Sequence, residues 1–271
     1  MAHSGVLLYL PAYNAARTLE RTLSEIPPGA VDDILLVDDG STDGTAAVAE
    51  RLGLRALRHP RNLGYGASQK SAYREALRAG AGVVVMLHPD AQHDGRLLPY
   101  LIGPVREGIY DVMLGSRIRA RAEALAGGMP LHKYLANRAL TLVENVVLGQ
   151  NFSEWHTGYR VYARRFLETA PFHANSDDFL FDSEMLLQAI MLGFRVGEIP
   201  APVRYGPGSS SIGSGAAARY ALGTLAAVAS CALHRAGVRR DPRWLPAALT
   251  PGISEAHRRP EEVSRERQGD A

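Results

Sequence analysis

The sequence predicts an α/β fold built on a mostly parallel sheet that is flanked by helices. Short apolar runs alternate with segments of helical spacing, a pattern that is typical of parallel βαβ units. Most of the apolar runs end abruptly in a polar turn. The chain has 271 residues, 46% of them hydrophobic and 21% charged, which is sufficient for one domain with a sizeable core.

The spacing of apolar residues places the individual strands and helices. Strands are expected at residues 5–10, 34–37, 54–57, 83–87 and 111–114, with two short ones at 194–199 and 203–205. Helices are expected at residues 15–26, 45–52, 67–79, 132–148 and 179–192. The Ala- and Gly-rich segment 120–128 is expected to be a mobile loop.

The composition divides the chain into three parts. Residues 1–215 are predicted to form a single α/β domain, 216–238 a C-terminal apolar helix, and 239–271 a disordered tail rich in Arg, Pro and Glu. The apolar run at 221–233 is shorter than a membrane span requires. We expect this helix to pack on its own domain, with attachment to a bilayer surface as the alternative.

Charge and cysteine content exclude some classes of function. The net charge of +2, with no basic run before residue 235, gives no indication of nucleic-acid binding. The single cysteine, Cys231, excludes an intrachain disulfide and is typical of a reducing compartment, most simply the cytoplasm. The N-terminus lacks the basic region of a signal peptide and is interpreted as the first strand.

Polar residues follow the predicted strands, where the carboxyl ends of parallel strands share one edge of the sheet. The residues expected to meet there are Tyr13, Asn14, Asp38, Asp39, Arg61, Asn62, His88, Asp90, Ser116 and Arg117. Because open α/β sheets bind ligands at this edge, the sequence predicts a binding site there.

The stretch VVVMLHPDAQHD, residues 83–94, is the centre of this prediction. It delivers His88, Asp90, Gln92 and His93 to the edge, where they could hold a cation or a phosphate. The alternative is a solvated polar turn. The glycines at 64 and 66 lack the third glycine of a dinucleotide fingerprint, which argues against a nicotinamide cofactor.

A series of motifs in order resembles the family 2 glycosyltransferases of the GT-A fold. The motifs are P-A-Y-N, L-V-D-D-G-S-T-D-G-T, R-N-L-G-Y-G, a D-x-D-like turn, G-S-R, S-E-x-x-T-G-Y-R and F-D-S-E. They are most similar to the branch with dolichyl-phosphate mannose synthases and bactoprenol glucosyltransferases, and they cover residues 4–215. The resemblance implies a Rossmann-like sheet in a catalytic domain, and a hexosyltransferase that uses a nucleotide sugar.

The resemblance also implies which residues hold the donor, a UDP- or GDP-sugar. Pro11 and Tyr13 would lie against the base, and Asp38 or Asp39 would bind the base or ribose. The complete set expected at the nucleotide sugar is Pro11, Tyr13, Asn14, Asp38, Asp39, Arg61, Asn62, Gly64, Lys70 and Arg117.

The D-x-D-like turn implies a metal site for Mn²⁺ or Mg²⁺ at Asp90, His88 and Gln92. His88 replaces the first aspartate of the motif. A coordinating imidazole would favour Mn²⁺, because Mg²⁺ prefers oxygen ligands. The alternatives are Asp90 acting with water, and a metal-free site in which Arg117 or Lys70 neutralises the diphosphate.

The implied reaction is an inverting sugar transfer with Asp90 and Glu154 as the catalytic residues. Glu154 would be the general base for a hydroxyl acceptor, whereas a phosphate acceptor is already ionised and needs no base. The alternative is a surface carboxylate paired with Arg160. Residues expected on the acceptor and diphosphate side are Trp155, as a stacking surface, Arg160, Glu184 in a supporting role, Arg204 and Ser210.

The acceptor is expected to be a polyprenyl phosphate or a small molecule. The predicted protein is cytoplasmic, with possible peripheral contact at the inner membrane face and possible homodimerisation, and without a nucleic-acid partner. Two other functions remain open from the sequence: a nucleotidyltransferase, and a nucleotide-sugar-binding module whose metal motif has decayed.

Overall fold

The structure is a computed structural model that describes residues 5–118, 120–205 and 213–249. One seven-stranded sheet runs through it in the order β3-β2-β1-β4-β6-β5-β7. The strands are β1 (Val6–Ala12), β2 (Asp33–Asp38), β3 (Arg55–Arg58), β4 (Val83–Met86), β5 (Val112–Ser116), β6 (Arg160–Ala163) and β7 (Val196–Pro200).

Nine α-helices are found among the described residues, and they flank the sheet. They are α1 (Leu19–Ser24), α2 (Thr45–Arg51), α3 (Tyr65–Arg78), α4 (Leu98–Arg106), α5 (Arg121–Ala126), α6 (Leu131–Leu148), α7 (Arg164–Thr169), α8 (Phe181–Met191) and α9 (Ser214–Arg235). The predicted mostly parallel α/β fold is therefore confirmed.

Six strands are parallel, and β6 runs against both of its neighbours, β4 and β5. The carboxyl ends of β1 to β5 therefore meet at one edge, as the sequence predicted. Because β6 is antiparallel, the loop that leads into it, residues 154–159, arrives at this same edge. The sequence analysis did not identify β6, whose four residues are too few to show a period.

Apolar side chains are buried on both faces of the sheet. On β1, Leu7 and Tyr9 pack with Tyr73 of α3 on one face, whereas Leu8 and Leu10 pack with other apolar residues on the opposite face. A strand buried on both faces has no polar alternation, which explains the continuous apolar runs in the sequence.

Three sequence-based expectations are corrected. The expected loop 120–128 contains α5, and the expected strand 203–205 provides a single bridge between Val203 and His93. The disordered tail was expected to begin at residue 239, but ordered structure continues beyond that point. Trp244 lies in a short 3₁₀ helix, Pro242–Trp244, and is buried in the core at 2% exposure. Residues 250–271 lie outside the described part of the chain.

Helices α6 and α9 pack against each other and present apolar side chains outward. The apolar side chains that recur at helical spacing along α6 face solvent, with Leu135, Leu142 and Val146 exposed by 56%, 63% and 73%. Within α9, residues 215–235 are long and apolar enough to cross a membrane, although 221–233 alone were expected to be too short. Only 22% of the apolar 18-residue stretch within this segment is buried inside the protein. We call this exposed face the α6–α9 surface. It comprises Leu131, Leu135, Leu142, Val146, Leu222, Leu225 and Leu233.

Candidate active site

The loops after β1 and β2 are joined by the side chain of Asn14. Its Oδ1 accepts hydrogen bonds from the backbone N–H of Thr42 (2.9 Å) and Asp43 (3.3 Å), and its own N–H donates to Ser41 Oγ. Asn14 adopts φ 57°, a left-handed conformation that asparagine tolerates. The predicted donor-binding residue Asn14 therefore shapes the loop from within.

The two adjacent aspartates after β2 have different surroundings. Asp39 accepts from the N–H groups of Leu63 (2.8 Å) and Gly64 (2.9 Å) and pairs with His59 Nδ1 (2.7 Å). Asp38 accepts from Ser41 N–H through Oδ1, while its buried Oδ2 accepts no hydrogen bond from the described residues and lies 3.4 Å from Nε of the exposed Arg58. Of the pair, Asp38 is therefore the less completely hydrogen-bonded carboxylate.

The glycine loop before α3 fits closely against the loop before α8. Gly64 adopts φ 110°, and a Cβ there would lie 2.3 Å from the carbonyl oxygen of Asp177. Lys70 donates to the carbonyl of Asn175 and to Asp177 Oδ1 (2.8 Å). Its ammonium group therefore joins α3 to the loop before α8, while its expected role in neutralising the diphosphate stays a prediction.

Other predicted nucleotide-binding residues lie around this edge with different exposure. Pro11 is buried in β1, and the ring of Tyr13 is 53% exposed beside it. Arg61 and Asn62 are exposed on the loop that follows β3. An exposed aromatic ring and an exposed guanidinium are groups that can stack on a base and pair with a phosphate.

The turn after β4 brings Asp90 and Gln92 together. Asp90 accepts from the Gln92 backbone N–H (3.1 Å) and from its side-chain amide (2.6 Å). Ala91 between them has φ 55°, which is a strained conformation for a residue with a Cβ. Such strain at a turn of polar groups is typical of functional sites.

His88 is directed into the protein. Its Nε2 lies 3.1 Å from the hydroxyl of Tyr65, which donates to Asp182 Oδ2 (2.9 Å), and its ring stacks on Tyr65. A Cβ on Gly158 would fall 2.1 Å from the same Nε2, so Gly158 leaves space for the imidazole. Direct metal binding through Nε2 is therefore not supported by this geometry.

The oxygen donors present nevertheless fit a divalent cation. The described residues contain no cluster of three or more His, Cys, Asp or Glu side chains that could hold a metal. Asp90 and Gln92 offer adjacent oxygen-bearing groups, and Mg²⁺ is commonly held by one or two carboxylates together with substrate phosphates and water. The expected metal set is thereby reduced to Asp90 and Gln92.

His93 is buried next to this turn. Burial, together with the nearby His88, lowers its pKa to about 3. The imidazole is therefore neutral at physiological pH and contributes no charge to the diphosphate region.

Glu154 and Arg117 form a buried ion pair at the end of β5. The guanidinium donates to Glu154 Oε1 through Nε (2.8 Å), and the Arg117 backbone N–H donates to Oε2 (2.7 Å). Asn137 of α6 also donates to Oε1 (2.9 Å). The alternative of a surface carboxylate paired with Arg160 is wrong, because Glu154 is fully buried and its partner is Arg117.

The electrostatics of this pair oppose a role as a base. Burial acts to raise the pKa of Glu154, but the charge and hydrogen bonds of Arg117 outweigh it, so the pKa lies below its ordinary value. A carboxylate with a lowered pKa has a weakened tendency to accept a proton. The guanidinium also occupies the oxygen atoms that a substrate hydroxyl would need.

Two residues expected on the acceptor side have structural roles. Trp155 is fully buried, donates to Asn145 Oδ1 (2.8 Å) and offers no face to a sugar. Arg160 is also fully buried and donates to the carbonyls of Thr157 (2.6 Å) and Trp155 (2.8 Å). Both expectations are corrected because these side chains stabilise the entry to β6.

The remaining acceptor-side residues are also engaged with the protein. Glu184 accepts from Ser176 N–H (2.7 Å) and pairs with Arg243, which agrees with a supporting role. Arg204 pairs with Glu25 and is 45% exposed, and its expected role in binding an anionic acceptor stays a prediction. Ser210 lies outside the described residues.

Sequence reasoning missed several residues that shape the site. These are His59, Tyr65, Asn137 and Asp182, each of which hydrogen-bonds to a predicted residue or its partner. No local spacing marks them, since their partners are distant in the chain. The motifs R-N-L-G-Y-G, which contains Tyr65, and F-D-S-E, which contains Asp182, were the available signals.

Comparison with known proteins agrees with this arrangement. Residues 8–170, more than half of the chain, match the sequence profile described as glycosyl transferase family 2. A UDP-N-acetylglucosamine–dolichyl-phosphate N-acetylglucosaminyltransferase of Methanococcus voltae is 24% identical over 76% of this chain and 88% of its own. An undecaprenyl-phosphate mannosyltransferase of Micrococcus luteus is 29% identical over 72% of this chain and 82% of its own.

A solved structure shares the fold. Glucosyl-3-phosphoglycerate synthase from Mycobacterium tuberculosis, in complex with Mg²⁺ and uridine diphosphate, superposes with a TM-score of 0.66 at 20% sequence identity. The match covers 89% of this chain and 82% of the synthase. It supports the GT-A architecture expected from the sequence.

Proposed function

Because the chain belongs to glycosyl transferase family 2 and is a glycosyltransferase, we propose that it transfers a sugar, with inversion, from a UDP- or GDP-sugar to a polyprenyl phosphate. The observation that carries this proposal is the state of Glu154. The carboxylate nearest to the acceptor side is closed by Arg117 and has a lowered pKa. Such a site is suited to an acceptor that arrives ionised.

The reaction then needs no proton removal from the acceptor. A phosphate oxygen of the acceptor attacks the anomeric carbon, the bond from that carbon to the donor diphosphate breaks, and its electron pair leaves with the nucleoside diphosphate. Arg117 contributes a buried positive charge close to the incoming phosphate, and its fixed position requires no reorganisation during transfer.

Asp38, Asp90 and Gln92 provide for the donor. Oδ2 of Asp38, which accepts no hydrogen bond from the described residues and has only the exposed Arg58 guanidinium beside it, can accept from a base or ribose. Asp90 and Gln92 would hold a divalent cation, which supplies charge neutralisation on the departing diphosphate when bound. Tyr13 offers an exposed ring for the base.

The α6–α9 surface supports a lipid acceptor. Asn137 of α6 contacts Glu154 directly, so the helix that presents the apolar stripe also reaches the site. Helix α6 carries His132, Lys133 and Arg138, and its one acidic residue, Glu144, is buried. A surface that is apolar and without exposed acids is compatible with the interface of an anionic bilayer.

The relatives support the same acceptor class. The names of the Methanococcus voltae and Micrococcus luteus proteins specify a dolichyl phosphate and an undecaprenyl phosphate. Both matches extend over more than four fifths of the relative, which makes the comparison one of whole proteins.

A transfer assay tests the proposal. Purified protein is incubated with radiolabelled UDP-glucose, UDP-N-acetylglucosamine or GDP-mannose, Mn²⁺ or Mg²⁺, and vesicles containing undecaprenyl phosphate. We expect label in the organic phase with one of these donors. A parallel reaction contains 3-phosphoglycerate as a soluble acceptor. Label transferred only to 3-phosphoglycerate would replace the lipid acceptor with a small molecule, and donor binding without turnover would indicate a binding module.

A further inference from the structure

A chain of buried polar groups lies behind the loop that carries Glu154, and the proposed reaction does not use it. His156 Nε2 lies 3.2 Å from Glu144 Oε2 of α6, and His156 Nδ1 lies 2.7 Å from the hydroxyl of Tyr220 of α9. That hydroxyl lies 2.8 Å from Ser183 Oγ of α8. One imidazole thereby connects three helices.

Glu144 is the unusual member of this chain. Its side chain is completely buried, with 0% of its surface accessible. Neither carboxylate oxygen has a hydrogen-bond partner among the described residues. Burying a carboxylate is costly unless a partner compensates for the lost water. The side chain of His156, itself 7% exposed, is the partner that the structure places beside it.

The partners of His156 determine its tautomer. A carboxylate can only accept, so the proton belongs on Nε2, facing Glu144. Nδ1 is then an acceptor for the Tyr220 hydroxyl. Burial raises the pKa of Tyr220, so the phenol keeps its proton for this bond. Ser183 in turn can donate to the phenolic oxygen.

The backbone of His156 reaches the active site. Its carbonyl oxygen accepts from a terminal nitrogen of the Arg117 guanidinium (2.8 Å), the group that also binds Glu154. The hydrogen-bond distance at Nδ1 and the neighbouring carboxylate at Nε2 restrain the imidazole, and with it the carbonyl that the guanidinium contacts. This path connects α9 with Arg117 through a single residue.

We propose that Glu144, His156 and Tyr220 are positioning residues that hold Arg117 in place for transfer, so that α9 is part of the active site as well as of the α6–α9 surface. The kinetic part of this proposal rests on the proposed glycosyl transfer. The structural part, the tautomer of His156, does not.

Nuclear magnetic resonance of protein labelled with ¹⁵N-histidine tests the structural part without any substrate. The wild type is expected to show His156 with its proton on Nε2, and the signal is assigned by its absence in His156→Gln. Glu144→Gln is expected to give a mixture of tautomers, because an amide can both donate and accept. A wild-type proton on Nδ1, or an unchanged tautomer in Glu144→Gln, would overturn the proposed arrangement of Glu144, His156 and Tyr220.

Kinetics of Tyr220→Phe test the positioning role with undecaprenyl phosphate as acceptor. We expect kcat to fall about tenfold, with the donor KM within about twofold, because the donor site itself is intact. The double variant Glu144→Gln/Tyr220→Phe is expected to lose no more than the larger single effect, since both act through His156. Additive losses would contradict a shared path.

Tyr73→Phe is the matched control. Tyr73 is a buried phenol whose hydroxyl is bonded to Tyr9 and Gln69, so the substitution removes a comparable buried hydroxyl. Thermal unfolding is measured for both variants. An equal loss of kcat in Tyr73→Phe and Tyr220→Phe would overturn the proposal. Absence of transfer by the wild type would refute the proposed function. The histidine spectra would still show whether Glu144 sets the tautomer of His156.

Discussion

The half of the molecule that contains β1 to β4, which we call the donor half, has loops held by internal hydrogen bonds. The half that contains α6 and α9, which we call the acceptor half, exposes apolar side chains. In the first half, Asn14 and Asp39 accept two backbone hydrogen bonds each and hold the loops around the donor edge. In the second half, Leu142 and Val146 remain more than 60% exposed. The contrast supports the proposal of a donor site held by internal hydrogen bonds beside an apolar surface that contacts a lipid.

The same contrast applies to the charges. Asp38 of the donor half has a buried oxygen that accepts no hydrogen bond from the described residues and lies 3.4 Å from the exposed Arg58. Glu154 of the acceptor half is fully engaged by Arg117 and Asn137. A ligand at Asp38 would therefore compete with an exposed guanidinium, that of Arg58, while the proposed acceptor would meet the Arg117 guanidinium already paired with Glu154.

Asp90→Asn should have the largest effect on the donor half. Weakening the proposed cation site removes charge stabilisation that metal ions supply in amounts of several kcal/mol, so we expect kcat/KM to fall by about a thousandfold. The rate is measured over a range of Mn²⁺ and Mg²⁺ concentrations. Asp33→Asn, whose carboxylate pairs with Arg55 on the surface, serves as the control. Wild-type activity of Asp90→Asn would show that Asp90 does not hold a cation needed for transfer.

Arg117→Ala should affect the acceptor half most strongly. Removing one partner of a buried ion pair leaves an uncompensated charge and typically costs about 3–5 kcal/mol. Urea unfolding measures this loss of stability. Arg78→Ala, which breaks an exposed pair with Glu75, should leave the unfolding midpoint near that of the wild type. Equal midpoints for the two variants would show that Glu154 is not held as described.

Glu154 also predicts the pH dependence of stability. Its pKa is lowered in the folded protein, so its contribution is present above the pKa of an unfolded glutamate, about 4.3, and is lost as the pH falls through the folded value. Glu154→Gln should therefore lose less stability than the wild type between about pH 5 and pH 3. Parallel curves for the two proteins would contradict this assignment.

Leu142→Glu/Val146→Glu should separate membrane contact from donor chemistry. Placing two charges on the α6–α9 surface is expected to weaken binding to anionic vesicles by at least about tenfold, since burying each apolar side chain contributes about 1.5–3 kcal/mol. Cosedimentation measures binding, and nucleotide thermal shifts should be unchanged. Ile109→Glu, an exposed apolar residue of the α4–β5 connection, is the control. Unaltered vesicle binding would exclude this surface.

Arg204→Ala is expected to have the smallest effect. Its pair with Glu25 is exposed, and such pairs contribute about 0–1 kcal/mol. We therefore expect the acceptor KM and kcat to remain within about twofold of the wild type. A large increase in the acceptor KM would restore the role that the sequence suggested for Arg204.

The donor half was largely predictable from the sequence. Its strands are continuous apolar runs, and parallel topology brings Tyr13, Asp38 and Asp90 to one edge without knowledge of any side-chain contact. The spacing of residues in the sequence could not show that Asp39 and Lys70 form hydrogen bonds within the protein. Their partners, such as Asp177, are far away in the chain.

The acceptor half was predicted less well for physical reasons. The apolar stripe of α6 gives the same helical period whether it faces a core or a lipid, so the pattern alone could not reveal that Leu142 is exposed. Trp155 and Arg160 resembled ligand-binding residues because aromatic and cationic side chains are common at such sites. Their burial depends on β6, which is too short to be detected.

The most direct test of the central claim compares two acceptors in the same vesicles. Undecaprenyl phosphate and undecaprenol differ by the phosphate alone, and each is offered with the donor that the protein turns over. With Glu154 closed by Arg117, we predict transfer to the phosphate and none to the alcohol. Transfer to the alcohol at a comparable rate would contradict the account, because it would require Glu154 to act as the base.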